Sequence, residues 1–173
     1  MKPLIYSSIA MLMLITQNAM ALDEASPFSK IPVGSTLSLN DTVVIEPERA
    51  GVHIQNGTVL PFSQIDKFRA NCDFEVRTLA QQPTKIQPDT FIITKVVLEE
   101  DVAASSWNVF AGGSGDGGPS HVDFSTILYL ESVNQPDVLR ITCEHWEDPV
   151  EAEFLSIKQI RQAMGGLLTL QIK

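Results

Sequence analysis

Apolar and polar side chains alternate over much of the chain, which is the pattern of half-buried β-strands. The alternation is clearest over 37–45, 72–79 and 122–130, and a turn at Asn40-Asp41 interrupts the first of these segments. The same pattern predicts further strands over 52–60, 91–98, 138–143 and 167–172. The 91–98 segment is apolar on both faces, which is typical of a strand near the centre of a sheet.

Two local signals refine this picture. Asn56-Gly57 lies between two β-prone runs and predicts a two-residue hairpin. Ser156 and Gln159 form a capping box, and the apolar stripe after it predicts a short helix ending at Gly165. We therefore expect an all-β or β-rich α+β protein: a single antiparallel β-sandwich or barrel with one short C-terminal helix.

Two stretches break the strand pattern. Residues 81–89 contain two prolines and predict a loop, and residues 100–120 predict a flexible glycine-rich loop. Gly113, Gly115 and Gly118 have the spacing of a dinucleotide-binding motif. That motif requires a strand before it and a helix after it, and neither is predicted here. The glycines are therefore interpreted as a linker.

The first 21 residues have the layout of a cleavable signal peptide. Lys2 precedes an apolar run, and an A-x-A site ends at Ala21. The alternative is a membrane anchor, but the apolar run of about 12 residues is shorter than the roughly 20 that a transmembrane helix needs. We expect 1–21 to be removed on export, leaving 22–173 as a single β-rich domain without a transmembrane segment.

Composition and charge narrow the class of protein. Of the 173 residues, 44% are hydrophobic, which suits a packed core and excludes a wholly disordered chain. The net charge of -9 does not favour nucleic acid as a partner, because such binding depends on neutralising phosphates with basic residues.

The two cysteines lie on the apolar sides of two predicted strands. Cys72 alternates with polar neighbours, and Cys143 does the same. In an oxidising compartment an even cysteine count favours pairing. A Cys72–Cys143 disulfide across the core would close a loop of about 70 residues and stabilise the fold by about 4 kcal/mol. The alternatives are two free buried thiols, or thiols used for metal or redox chemistry.

Three aromatic residues are candidate contacts for a partner. Trp107 and Phe110 fall in the glycine-rich loop, where they either dock on a partner or fold back over the sheet. Trp146 lies in an acidic segment that follows Cys143. No cofactor is expected.

Copper binding is the alternative site chemistry. Cys143, His145 and His53 are residue types of blue-copper centres, which need a free thiolate. A disulfide to Cys72 would compete for that thiolate, and His145 would then be a packed or hydrogen-bonded residue at a strand end. A hydrolase is a further alternative, although no G-x-S-x-G elbow or paired nucleophile and base is present.

Two segments resemble small, uncharacterised exported proteins of Gram-negative bacteria. They are 143–149 (CEHWEDP) and 156–165 (SIKQIRQAMG), and the hairpin opening 54–57 (IQNG) agrees with them. The resemblance implies a periplasmic or envelope location and carries no known activity. We therefore expect a non-enzymatic module that binds another envelope protein or component.

Overall fold

The computed structural model describes residues 22–103, 121–150 and 153–173. These residues form ten strands, one 3-10 turn at Phe62–Gln64 and one α-helix. The strands are β1 (Thr36–Leu39), β2 (Val43–Ile45), β3 (Gly51–Gln55), β4 (Thr58–Leu60), β5 (Asn71–Val76), β6 (Thr84–Ile86), β7 (Asp89–Ala103), β8 (His121–Glu131), β9 (Val138–Glu147) and β10 (Leu168–Gln171). The helix, α1, spans Ile157–Met164.

One antiparallel sheet dominates the fold. Its eight strands run in the order β10-β1-β7-β8-β9-β5-β3-β4, and β2 pairs with β6 in a separate ribbon. The helix packs against β10 at one edge of the sheet and against β5 and β3 towards the other, so the sheet curls around it. The predicted antiparallel β-rich class with one short C-terminal helix is confirmed.

Local sequence signals explain both ends of the helix. Ser156 caps the first turn, and the Gln159 side chain accepts a hydrogen bond from the Ser156 backbone amide, which completes the predicted capping box. The helix ends at Gly165, whose φ of +52° suits glycine. This end meets the predicted hairpin turn, where the Gly57 amide donates to the Ala163 carbonyl over 2.9 Å. A Cβ added at Gly165 would lie 2.6 Å from the Cα of Gly57, so the two segments approach backbone to backbone.

The sheet has two chemically distinct faces. Its core face, which looks towards α1, carries fully buried apolar side chains such as Phe74, Phe91 and Ile141. The opposite face, here called the convex face, carries the polar members of the alternation, among them Asp73 on β5 and Glu144 on β9. Strand period therefore separates a packed interior from a surface rich in carboxylates.

The structure corrects the predicted loop boundaries. The 91–98 strand extends over Asp89–Ala103, so residues 100–103 of the predicted loop belong to β7. Beyond Ile93, β7 pairs with β8 but no longer with β1, and in the described residues acidic side chains occupy this edge. Charges are tolerated there because they protect an unpaired strand edge. The predicted 81–89 loop likewise contains the short strand β6, paired with β2.

Three predictions fall on residues outside those that the structure describes. They are the signal peptide over 1–21 and the candidate contacts Trp107 and Phe110. Among the helices that are described, none combines the length and apolar character needed to cross a bilayer.

Candidate functional site on the convex face

The predicted disulfide forms between Cys72 and Cys143. The two residues are directly opposite each other on β5 and β9, with their Cα atoms 4.0 Å apart. The sequence had suggested a bond that crosses the core. The bond instead joins two neighbouring strands of one sheet. Both cysteines are fully buried, so the sulfurs are shielded from solvent thiols. The bond fastens together the two strands that carry most of the convex-face site.

Cys143 is bonded to Cys72 in the structure, so it has no thiolate to offer to the copper site that was the alternative. His53 and Cys143 also point to opposite faces of the sheet, since His53 pairs in register with the outward-facing Asp73. Within the described parts of the chain, no group of three or more histidine, cysteine or acidic side chains is placed to hold a metal ion.

His145 is the buried, hydrogen-bonded strand-end residue that the sequence predicted. It is 4% exposed, and its Nε2 lies 2.8 Å from the Glu153 carbonyl oxygen. Its Nδ1 lies 3.3 Å from a carboxylate oxygen of Glu147. Because both neighbours are acceptors, the ring fastens the end of β9 to the segment that leads into the helix.

Trp146 lies on the convex face at the centre of a group of ring contacts. His121 stacks on it with the ring centroids 4.1 Å apart, and Phe68 meets it edge-on at 5.8 Å. The Lys67 ammonium lies 4.8 Å from the Trp146 ring and 4.3 Å from the Phe62 ring. These five residues are called the aromatic platform below. At these distances the lysine makes cation–π contacts with both rings.

The 61–70 connection places three members of the platform. The buried Gln55 side chain donates to the Asp66 carbonyl over 2.8 Å and accepts from the Asp66 amide over 3.1 Å. The Trp146 amide donates to the Lys67 carbonyl over 2.7 Å. The connection is thus held on β3 at one point and on β9 at another, which fixes Lys67 between the rings.

Three carboxylates adjoin the platform: Asp73, Asp123 and Glu144. Asp73 contacts the His53 ring nitrogen Nδ1, yet burial raises the pKa of the Asp73 carboxyl above its ordinary value. Burial also raises the pKa of Asp123, whose Oδ1 is buried and accepts no hydrogen bond within the described structure. Partial burial therefore acts on all three carboxylates and favours their neutral forms.

Glu144 is the most perturbed of the three. Burial, together with the negative charges of Asp123 and Asp73, raises its pKa to about 7, whereas Lys67 and His53 act in the opposite direction. A group with this pKa exchanges a proton near neutral pH. Ionisation of Glu144 therefore adds to the negative charge with which the site can attract a positively charged group.

The platform could be predicted only in part. Strand period places Asp73, Glu144 and Trp146 on outward faces, and Trp146 was a predicted contact residue. Phe62 and Phe68 were missed because they lie in an irregular connection without periodicity. Their exposures of 57% and 64% become informative only once the platform is assembled.

Comparison with protein-family models, with curated proteins and with solved structures found no match for this chain.

Proposed function

We propose that the protein is an exported, non-enzymatic binding module of the bacterial envelope. The signal-peptide pattern of residues 1–21 and the resemblance to exported proteins support export. The Cys72–Cys143 disulfide agrees with it, since such bonds persist mainly in oxidising compartments. The β-rich fold offers a rigid frame for a contact surface.

The platform is the proposed contact surface, and its partner is a basic segment of another envelope protein. The observation that carries this proposal is the exposure of Phe62 and Phe68 beside carboxylates whose charge is only partly compensated. Lysine and arginine bind both to carboxylates and to aromatic rings, and Lys67 already makes the second kind of contact within the chain. The net charge of -9 would accelerate the approach of a basic partner.

A defined basic peptide tests the surface directly. A short peptide of alternating arginine and glycine is titrated into isotopically labelled, oxidised protein, and the amide shifts are followed by NMR. We expect shifts in β9 and in the 61–70 connection, with weaker binding at high salt. A glutamate-for-arginine peptide is the control ligand.

Substitution of the exposed rings separates specific contact from general attraction. Phe62→Ala together with Phe68→Ala should weaken binding about tenfold or more, because exposed aromatic anchors dominate such interfaces. Leu79→Ala removes a similarly exposed apolar side chain elsewhere and should leave binding unchanged. Equal binding by both variants, or shifts spread over the whole surface, would overturn the proposal.

Location is tested by cell fractionation and intact mass. The chain is expressed with its first 21 residues in a Gram-negative host. We expect a periplasmic species with the mass of residues 22–173 less two hydrogens. A cytoplasmic species that retains residues 1–21 and both thiols would contradict export.

A second candidate function is acid–base catalysis, and the perturbed Glu144 favours it. A carboxyl with a pKa near 7 suits proton transfer at neutral pH, and Asp73 adjoins it. A depression of about 200 Å³ is lined by His53, Asp73 and Glu75 among others, and it is smaller than typical ligand pockets. Hydrolysis of an envelope polymer that is abolished by Glu144→Gln would support catalysis over binding.

A further inference from the structure

An apolar pocket of about 530 Å³ opens on the core face, away from the platform. Its walls come from three parts of the chain: residues 27–31 of the N-terminal extended segment, β7 and β8, and the start of α1 with the two residues before its cap. The volume lies within the range typical of small-molecule sites. It is called the core pocket below.

The walls of the core pocket are firmly attached to one another. Glu24 forms a two-pronged ion pair with Arg161 of the helix, with both nitrogen–oxygen distances at 2.9 Å. The Lys158 amide donates to the Glu24 carbonyl over 2.9 Å. The N-terminal segment is therefore held on the helix, and Ile31 at its end is buried in the core. This anchoring makes the pocket a built feature of the fold.

The apolar lining is incompletely covered. Phe28 is 83% exposed at the mouth, and Leu98 on β7 is 41% exposed. Ile157 and Ile160 of the helix are buried, and the partly buried Val96 also lines the pocket. An apolar chain inserted here would remove both the mouth and the wall from water, which is favourable in proportion to the area covered.

The charge at the mouth is the reverse of that of the whole protein. Lys30 is the one basic residue of the lining, and no acidic residue joins it there among the described residues. Lys30 also forms no ion pair within the described structure, whereas the chain as a whole carries a net charge of -9. A lone cation beside an apolar pocket is complementary to an anion joined to a hydrocarbon chain.

We propose that the core pocket binds a single-chain amphiphile, with its hydrocarbon tail against Val96, Leu98 and Ile160 and its anionic head group at Lys30. A fatty-acid carboxylate and an alkyl phosphate share this chemistry. The site is separate from the platform, and the proposal does not depend on whether the platform binds a basic partner.

Chain length provides the first test. Octanoate, decanoate, dodecanoate and hexadecanoate are titrated into delipidated, oxidised protein by calorimetry. Affinity should rise by up to about fourfold per methylene until the pocket is filled, because each buried methylene contributes a similar increment. Alkyl phosphates of the same lengths form the second arm and identify the preferred head group. Affinity that is independent of chain length would overturn the proposal.

Head-group charge and pocket volume provide the second test. Lys30→Gln should weaken the binding of dodecanoate by up to about fivefold and leave dodecanol unaffected, because an exposed ion pair contributes modestly. Lys85→Gln, an exposed lysine on β6, is the matched control. Leu98→Trp should obstruct part of the pocket and weaken the binding of every ligand, with an unchanged melting temperature showing that the fold is retained. Undiminished binding by Leu98→Trp, or equal binding of dodecylammonium, would place the ligand elsewhere and refute the site.

Discussion

Glu144→Gln should stabilise the protein at neutral and alkaline pH. In the folded chain, burial and two neighbouring carboxylates raise the pKa of Glu144 to about 7, against 4.5 for the free side chain. The folded state therefore holds this proton more tightly than the unfolded state does. Its contribution to stability is fully present below about pH 4.5 and is lost as the pH rises through 7. Glutamine keeps the shape of the protonated acid and never acquires the charge.

The magnitude follows from the size of the shift. Each pKa unit corresponds to 1.36 kcal/mol, so a rise from 4.5 to about 7 sets an upper limit of about 3 kcal/mol for the cost of ionising Glu144. Solvent access to this half-buried side chain reduces that figure. We expect Glu144→Gln to raise the free energy of unfolding by about 1–2 kcal/mol at about pH 8, and by close to nothing at about pH 4.5.

Denaturant unfolding at a series of pH values measures this difference. The exposed Glu131 supplies the control, because Glu131→Gln should change stability by less than about 0.5 kcal/mol at every pH. A stability difference for Glu144→Gln that does not change with pH would refute the reasoning. So would a variant that is less stable than the parent at about pH 8. The first result would mean that the pKa of Glu144 does not differ between the folded and unfolded states, and the second that ionised Glu144 is held by favourable contacts.

Three further substitutions test the frame around the site, each by denaturant unfolding. Replacing Cys72 and Cys143 by alanine should lower the free energy of unfolding by about 4 kcal/mol, because the disulfide closes a loop with a separation of 71 residues. A loss below about 1 kcal/mol would contradict this reasoning. Gly165→Ala should lower the free energy of unfolding by more than about 2 kcal/mol, because the backbone at Gly165 touches the hairpin. Gly166 has open space around it, so Gly166→Ala should lower it by less than about 1 kcal/mol. Equal losses in the two variants would show that the close approach is not the cause. His145→Phe should lower the free energy of unfolding by about 1–3 kcal/mol because the Glu153 carbonyl loses the hydrogen bond from the buried ring, and a neutral result would show that this contact adds nothing.

Much of the fold could be predicted because its signals are local. Alternation identified the strands, Asn56-Gly57 identified the hairpin, and the Ser156 capping box identified the start of the helix. Each of these depends on residues within a few positions of one another. The acidic end of β7 was mistaken for loop because its pairing with β8 is a tertiary effect that overrides composition.

The site could not be predicted in the same way. The two-residue period of a strand shows which face of the sheet a residue lies on, but it does not show which residues of other strands lie beside it. Asp73 and Glu144 lie close only because β5 and β9 are adjacent in the sheet, although 71 positions separate the cysteines that join these strands. Lys67 reaches Trp146 through a connection without any periodic pattern. The disulfide was predictable as a pair, but its side-by-side geometry required the strand order.

The two proposed sites should act independently, and β8 is where that independence is tested. Thr126 of β8 lines the core pocket, while Asp123 of the same strand adjoins the platform on the opposite face. The platform takes His121 from β8 and its other side chains from β9 and the 61–70 connection. The pocket takes its other side chains from the N-terminal segment, β7 and the helix region. Binding free energies for dodecanoate and for the basic peptide should therefore add to within about 0.5 kcal/mol. A larger deviation would mean that β8 moves when one ligand binds, because it is the strand that contributes side chains to both sites.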